Sequence, residues 1–346
     1  MTGTDSHEIV APLLGAWALD ACPPGDDGLV REHLDDCDIC AGEARTLRET
    51  AAELGGTHRR PPAGLAARLR SAAPVRRRPA PAAPEYAQPY AAQVAALDLL
   101  LTGLDDDHWG RIAAYGEWSV HDLLAHLTAT DSLIAAALGV TVEPPLAPGS
   151  DPESRTREVL NFARTRTAEQ ARRTWRAQAE ALCGALLTVP APTGTIAVGW
   201  DMPVPDALVA RAFETWIHSE DIGGVLARPT VTPLPEHLNP MADLAVRTLP
   251  LATATRVTAP EGRHVRLHLT GPGGGTWTVP VTPPPPGSTP PQPPSLVPDA
   301  EVTADIVEFC RLVGDRRRPD QLSVTIAGDT RLGLEWLAAA PALAVP

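Results

Sequence analysis

The segment REHLDDCDIC, Arg31 to Cys40, holds one histidine and two of the chain's five cysteines. On a helix His33 and Cys37 are i and i+4 and share a face. Cys40 follows within one further turn, close enough for the chain to bend back to the same point. One imidazole and two thiolates make three ligands for a tetrahedral Zn2+, and a closed structural site takes a fourth. Two residues compete for that place: His7 in the first helical segment and Cys22 in the loop CPPGDD. The competing reading is a buried thiol pair beside a surface histidine. A second constellation lies mid-chain. EWSVHDLLAHL places His126 on a helix with Asp122 one turn before it, and RAFETWIHSEDI places Glu214 and His218 at i and i+4. Two helices can converge such groups in a bundle core. Three protein ligands leave zinc's fourth position open, the catalytic arrangement. Taken alone, an i, i+4 Glu/His pair is more commonly a solvated ion pair. Asp122 is either an acceptor that orients His126 or a helix cap. His121, five residues from His126, is expected at the surface. Trp118 and Trp216 are expected to pack the bundle, and Cys183 and Cys310 to fill apolar space as buried thiols.

The elements that must position these groups separate by composition. Residues 1–55 are acidic and read as three short helices, HEIVAPLLGAWALDA, DDGLVREHLDDC and AGEARTLRETAAEL, with Pro and Gly as breakers and Asp as an N-cap. Residues 56–86 hold one predicted helix, PPAGLAARLRSAA, then an arginine-bearing Pro/Ala linker with little capacity to bury a core. Residues 87–230 carry four helical patterns, YAAQVAALDLLLTGL, SVHDLLAHLTATDSLIAAAL, SRTREVLNFARTRTAEQARRTWRAQAEALCGALL and PDALVARAFETWIHSEDIGGVL, which together suggest a bundle. Residues 231–346 are mixed. RHVRLHLT and TWTVPV read as a β-hairpin, VTPPPPGSTPPQPPSLVP as an irregular loop, and ADIVEFCRLVG, QLSVTIAG and RLGLEWLAAA as helix, strand, helix.

Length allows two or three domains with sizeable cores. Five scattered cysteines suit a metal or redox role better than a secreted disulfide framework. A net charge of −13 argues against the whole molecule gripping nucleic acid. No apolar run is long enough to span a membrane and the N-terminus has no signal-peptide pattern, so a cytoplasmic protein without a membrane partner is expected. Arginine supplies all the basic side-chain charge, since lysine is absent; with abundant Ala and Pro this suggests a GC-rich genome such as an actinobacterium's.

Two resemblances follow from these residues. His7, His33, Cys37 and Cys40, with GAWALDACPPGDDGLVREHLDDCDIC around them, resemble the H…HxxxCxxC pattern of zinc-binding anti-sigma factors over residues 5 to about 74. That resemblance implies a zinc-finger domain, a sigma-contacting helix in residues 56–86, and an extracytoplasmic-function sigma factor as partner. It also implies release of sigma on thiol oxidation in some members, with Cys22 as a redox partner for Cys37 or Cys40. WSVHDLLAHLTATD and RAFETWIHSEDIGGVLARP resemble the N-terminal domain of the mycothiol-dependent maleylpyruvate isomerase family, within the DinB-like metalloproteins. That resemblance implies a second zinc on His126, Glu214 and His218 and mycothiol as co-substrate. It also implies, from PDAEVTADIVEFCRLVGDRRRPDQLSVTIAGD onward, a smaller α+β C-terminal domain of sterol-carrier type. The fold expected is therefore multidomain and mainly α. Zinc favours thiolate over thiol, so a small thiol bound there could attack an electrophilic carbon at neutral pH. The leading expectation is an anti-sigma regulator with an isomerase-like domain. The alternative is a mycothiol-dependent isomerase or S-transferase with a structural zinc finger.

Overall fold

The computed structural model describes residues 3–19, 21–55, 78–114, 117–147, 149–188, 194–197, 201–254, 256–257, 262–283 and 297–344. The chain divides into two compact units, residues 1–76 and 77–346. The helix expected at 61–73 and most of the proline-rich loop after 283 lie outside the described residues.

The first unit is helical: α1 (Gly3–Val10), α2 (Leu14–Ala18), α3 (Pro24–Asp36) and α4 (Asp38–Gly55). The first predicted helix is broken at Pro12, where the 3-10 turn Ala11–Leu13 intervenes, because proline has no N–H to donate and clashes with the preceding turn. α3 begins earlier than an aspartate cap would set it. Pro24 occupies its first turn, where a missing N–H costs nothing, and Asp26 and Asp27 face the positive end of the helix dipole. Val10, Leu14, Trp17, Val30, Cys40 and Ala44 form the buried core. That is little apolar surface for an independent fold, and small domains of this kind are commonly completed by metal.

The second unit begins with α5 (Gln88–Leu101) and α6 (Asp106–Trp109), followed by the short strands β1 (Ile112–Ala114) and β2 (Trp118–Ser119). Next come α7 (Val120–Ala137), α8 (Pro152–Ala163) and α9 (Ala168–Thr188). The hairpin β3 (Thr195–Ala197) and β4 (Asp201–Pro203) then leads into α10 (Val204–Leu226). The bundle is α5, α7, α9 and α10, with α8 packed on α7. The single long helix expected from residue 154 is thus two helices. Thr167 ends the run by capping α9: its Oγ1 accepts from Gln170 N–H (3.2 Å) and Gln170 Oε1 accepts from Thr167 N–H (3.0 Å), a reciprocal cap that competes with helix continuation. The end of the expected linker is also less free than its composition suggests, since Arg78 pairs with Glu180 (2.9 Å) and Ala83 and Tyr86 pack against the buried core.

α11 (Pro235–Thr253) was not expected. Pro235 lies in its first turn, but Pro240 and Pro250 lie inside it, and prolines obscure a helical pattern. α11 packs against α10 and against the small sheet that follows it. The sheet comprises β5 (His264–Thr270), β6 (Gly275–Pro280), β7 (Ala300–Asp305) and β8 (Thr325–Gly328), with α12 (Ile306–Val313) after β7 and α13 (Thr330–Ala339) after β8. The strand order is β6-β5-β7-β8, with only the β5–β7 pair parallel. The helix expected over ADIVEFCRLVG is present as α12, and the strand β7 just before it was not expected. Its alternating burial marks a strand, and Asp305 then caps α12 by accepting from Val307 and Glu308 N–H. One continuous core joins bundle residues such as Leu124 and Trp216 to sheet residues such as Leu267 and Val302. The molecule is mainly helical with a small sheet region.

Candidate metal centres

In the first unit one ligand atom from each of His7, His33, Cys37 and Cys40 lies within 4.8 Å of the others. The helical relation expected between His33 and Cys37 is replaced by a turn. α3 ends at Asp36 and Cys37 is extended (φ −126°, ψ 100°), though its N–H still donates to the His33 carbonyl at 3.0 Å. The turn places Cys40 in the first turn of α4. Cys40 Sγ is 3.2 Å and Cys37 Sγ 3.7 Å from His7 Nδ1. Ordinary zinc bonds to sulfur and nitrogen set tetrahedral ligands about 3.5 Å apart, so these separations fit the ion. His33 Nε2 is buried with no hydrogen-bond partner among the described residues, as befits a ligand atom. The Cys40 backbone N–H at the start of α4, and then His7, lower the Cys37 thiol to about 6, the usual effect of a helix N-terminus on a thiol. Burial raises Cys40. Cys22 lies outside the group. Its thiol donates to the Leu13 carbonyl (3.7 Å), and desolvation with Asp26 and Asp27 raises its pKa.

In the second unit α7 and α10 bring His126, Glu214 and His218 within the same 4.8 Å limit. His126 Nε2 lies 2.6 Å and His218 Nε2 4.0 Å from Glu214 Oε1. The two imidazoles stand nearly perpendicular, 5.5 Å apart, and both are buried. Tetrahedral zinc sets nitrogen and oxygen ligands about 3.3 Å apart, between the two observed distances. The donor set therefore fits an open three-ligand site.

The groups behind the ligands are more informative than their spacing. His218 Nδ1 is 3.0 Å from Asp221 Oδ2. An Nδ1–H donated there leaves the Nε2 lone pair facing the cluster. Asp221 is gripped by Arg316 through Nε and Nη2, both at 2.6 Å. Burial pushes His218 below the ordinary imidazole range despite Asp221, which keeps the ring neutral, as a ligand must be. Behind Glu214, the buried Arg211 donates to Glu214 Oε2 and, through Nε, to Asp131 Oδ1 (2.8 Å). The Tyr90 hydroxyl donates to Asp131 Oδ2 (2.8 Å). Burial alone would raise Glu214, but Arg211, then His126, hold it well below the usual carboxylate range.

Asp122 is not the acceptor behind His126. It completes a capping box with Ser119 and accepts from Arg164 (3.1 Å), because a carboxylate in the first turn finds the unpaired N–H groups of its own helix. His121 is half-buried against Trp109 rather than at the surface, and burial lowers its pKa. Trp118 does more than pack the bundle: its ring lies 4.9 Å from that of His126. Trp216, Cys183 and Cys310 are buried in the core. Asp221 and Arg211 were legible as i+3 and i−3 neighbours of His218 and Glu214. Tyr90, Asp131 and Arg316 carry no such signal, since only the packing of other elements brings them in.

Residues 90–223 match the family model of the mycothiol maleylpyruvate isomerase N-terminal domain. Uncharacterized proteins from two strains of Mycobacterium tuberculosis are each 26% identical to this chain over 255 residues, covering 72% of it and 91% of the relative. Crystal structures of the mycothiol-dependent maleylpyruvate isomerase and of a mutant of it align with TM-scores of 0.45 and 0.46 at 18% and 17% identity, covering 70% of this chain and 92% of theirs. The family match does not reach His7, His33, Cys37 or Cys40, so the anti-sigma resemblance of the first unit rests on its sequence pattern. The comparisons support an isomerase-family domain in residues 90–223, the stretch that carries His126, Glu214 and His218.

Proposed function

We propose that residues 77–346 form a zinc- and mycothiol-dependent isomerase or S-transferase, and that residues 1–55 form a structural zinc module. The observation that carries the reading is the His126–Glu214–His218 cluster, inside the matched domain, with a dedicated partner behind each of Glu214 and His218. Bound zinc would supply a Lewis acid with one open position, which keeps a small thiol deprotonated at neutral pH. The chain's own residues do the rest. Asp221 fixes the His218 tautomer and Arg316 fixes Asp221. Arg211 keeps Glu214 ionised and oriented. Trp118 packs its ring against His126. Mycothiol is the thiol favoured by the family description, and an electrophilic alkene such as maleylpyruvate the acceptor. Isomerisation would add the thiolate to the conjugated C=C, whose electron pair moves onto the carbonyl as an enolate, allow rotation about what is now a C–C single bond, and reform C=C by expelling the thiolate; transfer would instead protonate the enolate and retain the C–S bond.

Zinc-loaded protein should bind mycothiol in calorimetric titration and consume an electrophile in a conjugation or isomerisation assay. His126→Ala should lose both while keeping the helical signal. With zinc confirmed in place, neither binding nor turnover would reject thiol chemistry here; binding without turnover would indicate a sensor.

A second role is proposed for the first unit: capture of an extracytoplasmic-function sigma factor. Its support is the closed four-ligand set together with the sequence pattern around it. The reduced, zinc-loaded protein should retain such a sigma factor in a pull-down, and peroxide should weaken the complex if the Cys37 thiolate is the reactive form. No retention by the reduced protein rejects the role; retention indifferent to peroxide rejects only its redox control.

A further inference from the structure

An open cavity of about 550 Å³ lies where the C-terminal end of α10 meets α12 and the residues after it. Its wall includes Glu220 and the exposed Gly224 from α10, and Arg228, Arg311, Arg316 and Arg317. At 100° per residue, Glu220 and Gly224 lie about 80–160° round the α10 axis from Glu214 and His218. The cavity thus lies to one side of the metal ligands and adjoins them only through Arg316, which also holds Asp221.

Three of its four arginines are paired with carboxylates. Arg311 pairs with Glu220 (2.8 Å) and Glu308 (2.7 Å), Arg317 with Glu308 (2.8 Å), and Arg316 with Asp221 (2.6 Å). Each of these three guanidiniums is thus tied to a carboxylate. Arg228 has none: its described hydrogen bonds run from Nη1 alone to the carbonyls of Leu100 (2.8 Å) and Thr102 (3.1 Å). Those two carbonyls fix the guanidinium, while the planar fork retains donors of the kind that bind carboxylate or phosphate bidentately. All four arginines are between fully buried and fully exposed, and a charge pair is stronger there than in bulk water. The volume also suits a small organic ligand, for which sites run from roughly 300 to 1,000 Å³.

We infer that this arginine-walled cavity is a binding site for a small organic anion bearing a carboxylate or phosphate group. Arg228 and Arg317 supply the donors, and Arg311 and Arg316, held by α10, form the fixed wall. Gly224 keeps the mouth open, since a Cβ built there meets nothing within 4 Å.

The test is calorimetric titration of the full chain with succinate and, separately, glycerol 3-phosphate, which distinguishes a carboxylate from a phosphate ligand. Saturable binding of either is expected, weakened about tenfold by Arg228→Gln or Arg317→Gln through loss of a charge-assisted hydrogen bond, and blocked by Gly224→Trp. Thermal unfolding checks that each variant folds. If the tryptophan variant does not fold, the two glutamine variants decide alone. No saturable binding of either probe, or binding that survives the folded cavity variants but is lost in His126→Ala, overturns the site.

Discussion

The chemistry of both centres is set by a few side chains whose partners differ. Asp131 is fully buried and touches no ligand, yet it anchors Arg211, which in turn holds Glu214. Asp131→Asn should leave a buried guanidinium short of its counter-charge and cost roughly 3 kcal/mol in denaturant unfolding. Competition with a chelator should also show bundle-zinc affinity about tenfold or more weaker, because Glu214 loses its orientation. In the first unit, Cys37 with its pKa near 6 is the thiol to react first once metal is removed. A lowered thiol pKa means thiolate persists down to that value. Alkylation of Cys37 in freshly chelated protein should therefore hold from pH 8 to pH 7 and fall as pH drops through 6, read by peptide mass spectrometry. In an unfolded chain the same thiol titrates at its ordinary value, so the profile also reports whether the unit is still folded. Cys183, pushed up to about 12 by burial, should stay unlabelled throughout.

At the scale of elements, the end of α10 is tightly constrained. Arg228 N–H donates back to the Gly223 carbonyl (2.9 Å) and Ala227 sits at φ +51°, the left-handed position that closes the helix. A Cβ at Gly223 would stand 2.2 Å from Thr230 Cγ2 and 3.0 Å from the Arg228 carbonyl oxygen. Gly223→Ala should destabilise by about 1–3 kcal/mol as an overpacked contact. Ala227→Gly should stabilise by about 1 kcal/mol, because glycine adopts the left-handed region without the Cβ clash. Thermal or urea unfolding of the two variants measures both. The opposite signs, four residues apart, would show that a backbone turn rather than helix propensity governs this end.

For the whole molecule, the two units have separate cores, and only the first is small enough to depend on metal. Full-length protein purified without chelator is expected to carry two zinc ions per chain by elemental analysis. Cys37→Ser with Cys40→Ser should remove one of them and leave the other. Chelation should lower the unfolding temperature of the first unit while the transition of residues 77–346 keeps its core-determined cooperativity. Zinc content unchanged by the double serine variant would remove the finger from the account.

The sequence by itself determined the residues that can ligate and the helices that carry most of them. Apolar periodicity marked α5, α7 and α10, and the i, i+4 spacing of Glu214 and His218 was legible because both lie on one helix. Local spacing cannot report what another element brings. Asp131, Tyr90 and Arg316 reach the metal cluster only because α5, α7, α10 and the turn after α12 pack together, and the Arg228 to Arg317 cavity exists only in that packing. The same limit explains the misplaced elements. Thr167 and Asp122 follow local capping chemistry that competes with the longer-range pattern, α11 is hidden by its internal prolines, and β7, not read from the sequence, is a strand paired with β5 and β8. Side-chain type and period are properties of the chain, whereas partners and burial are properties of the fold, and the electrostatics of the site depend on both.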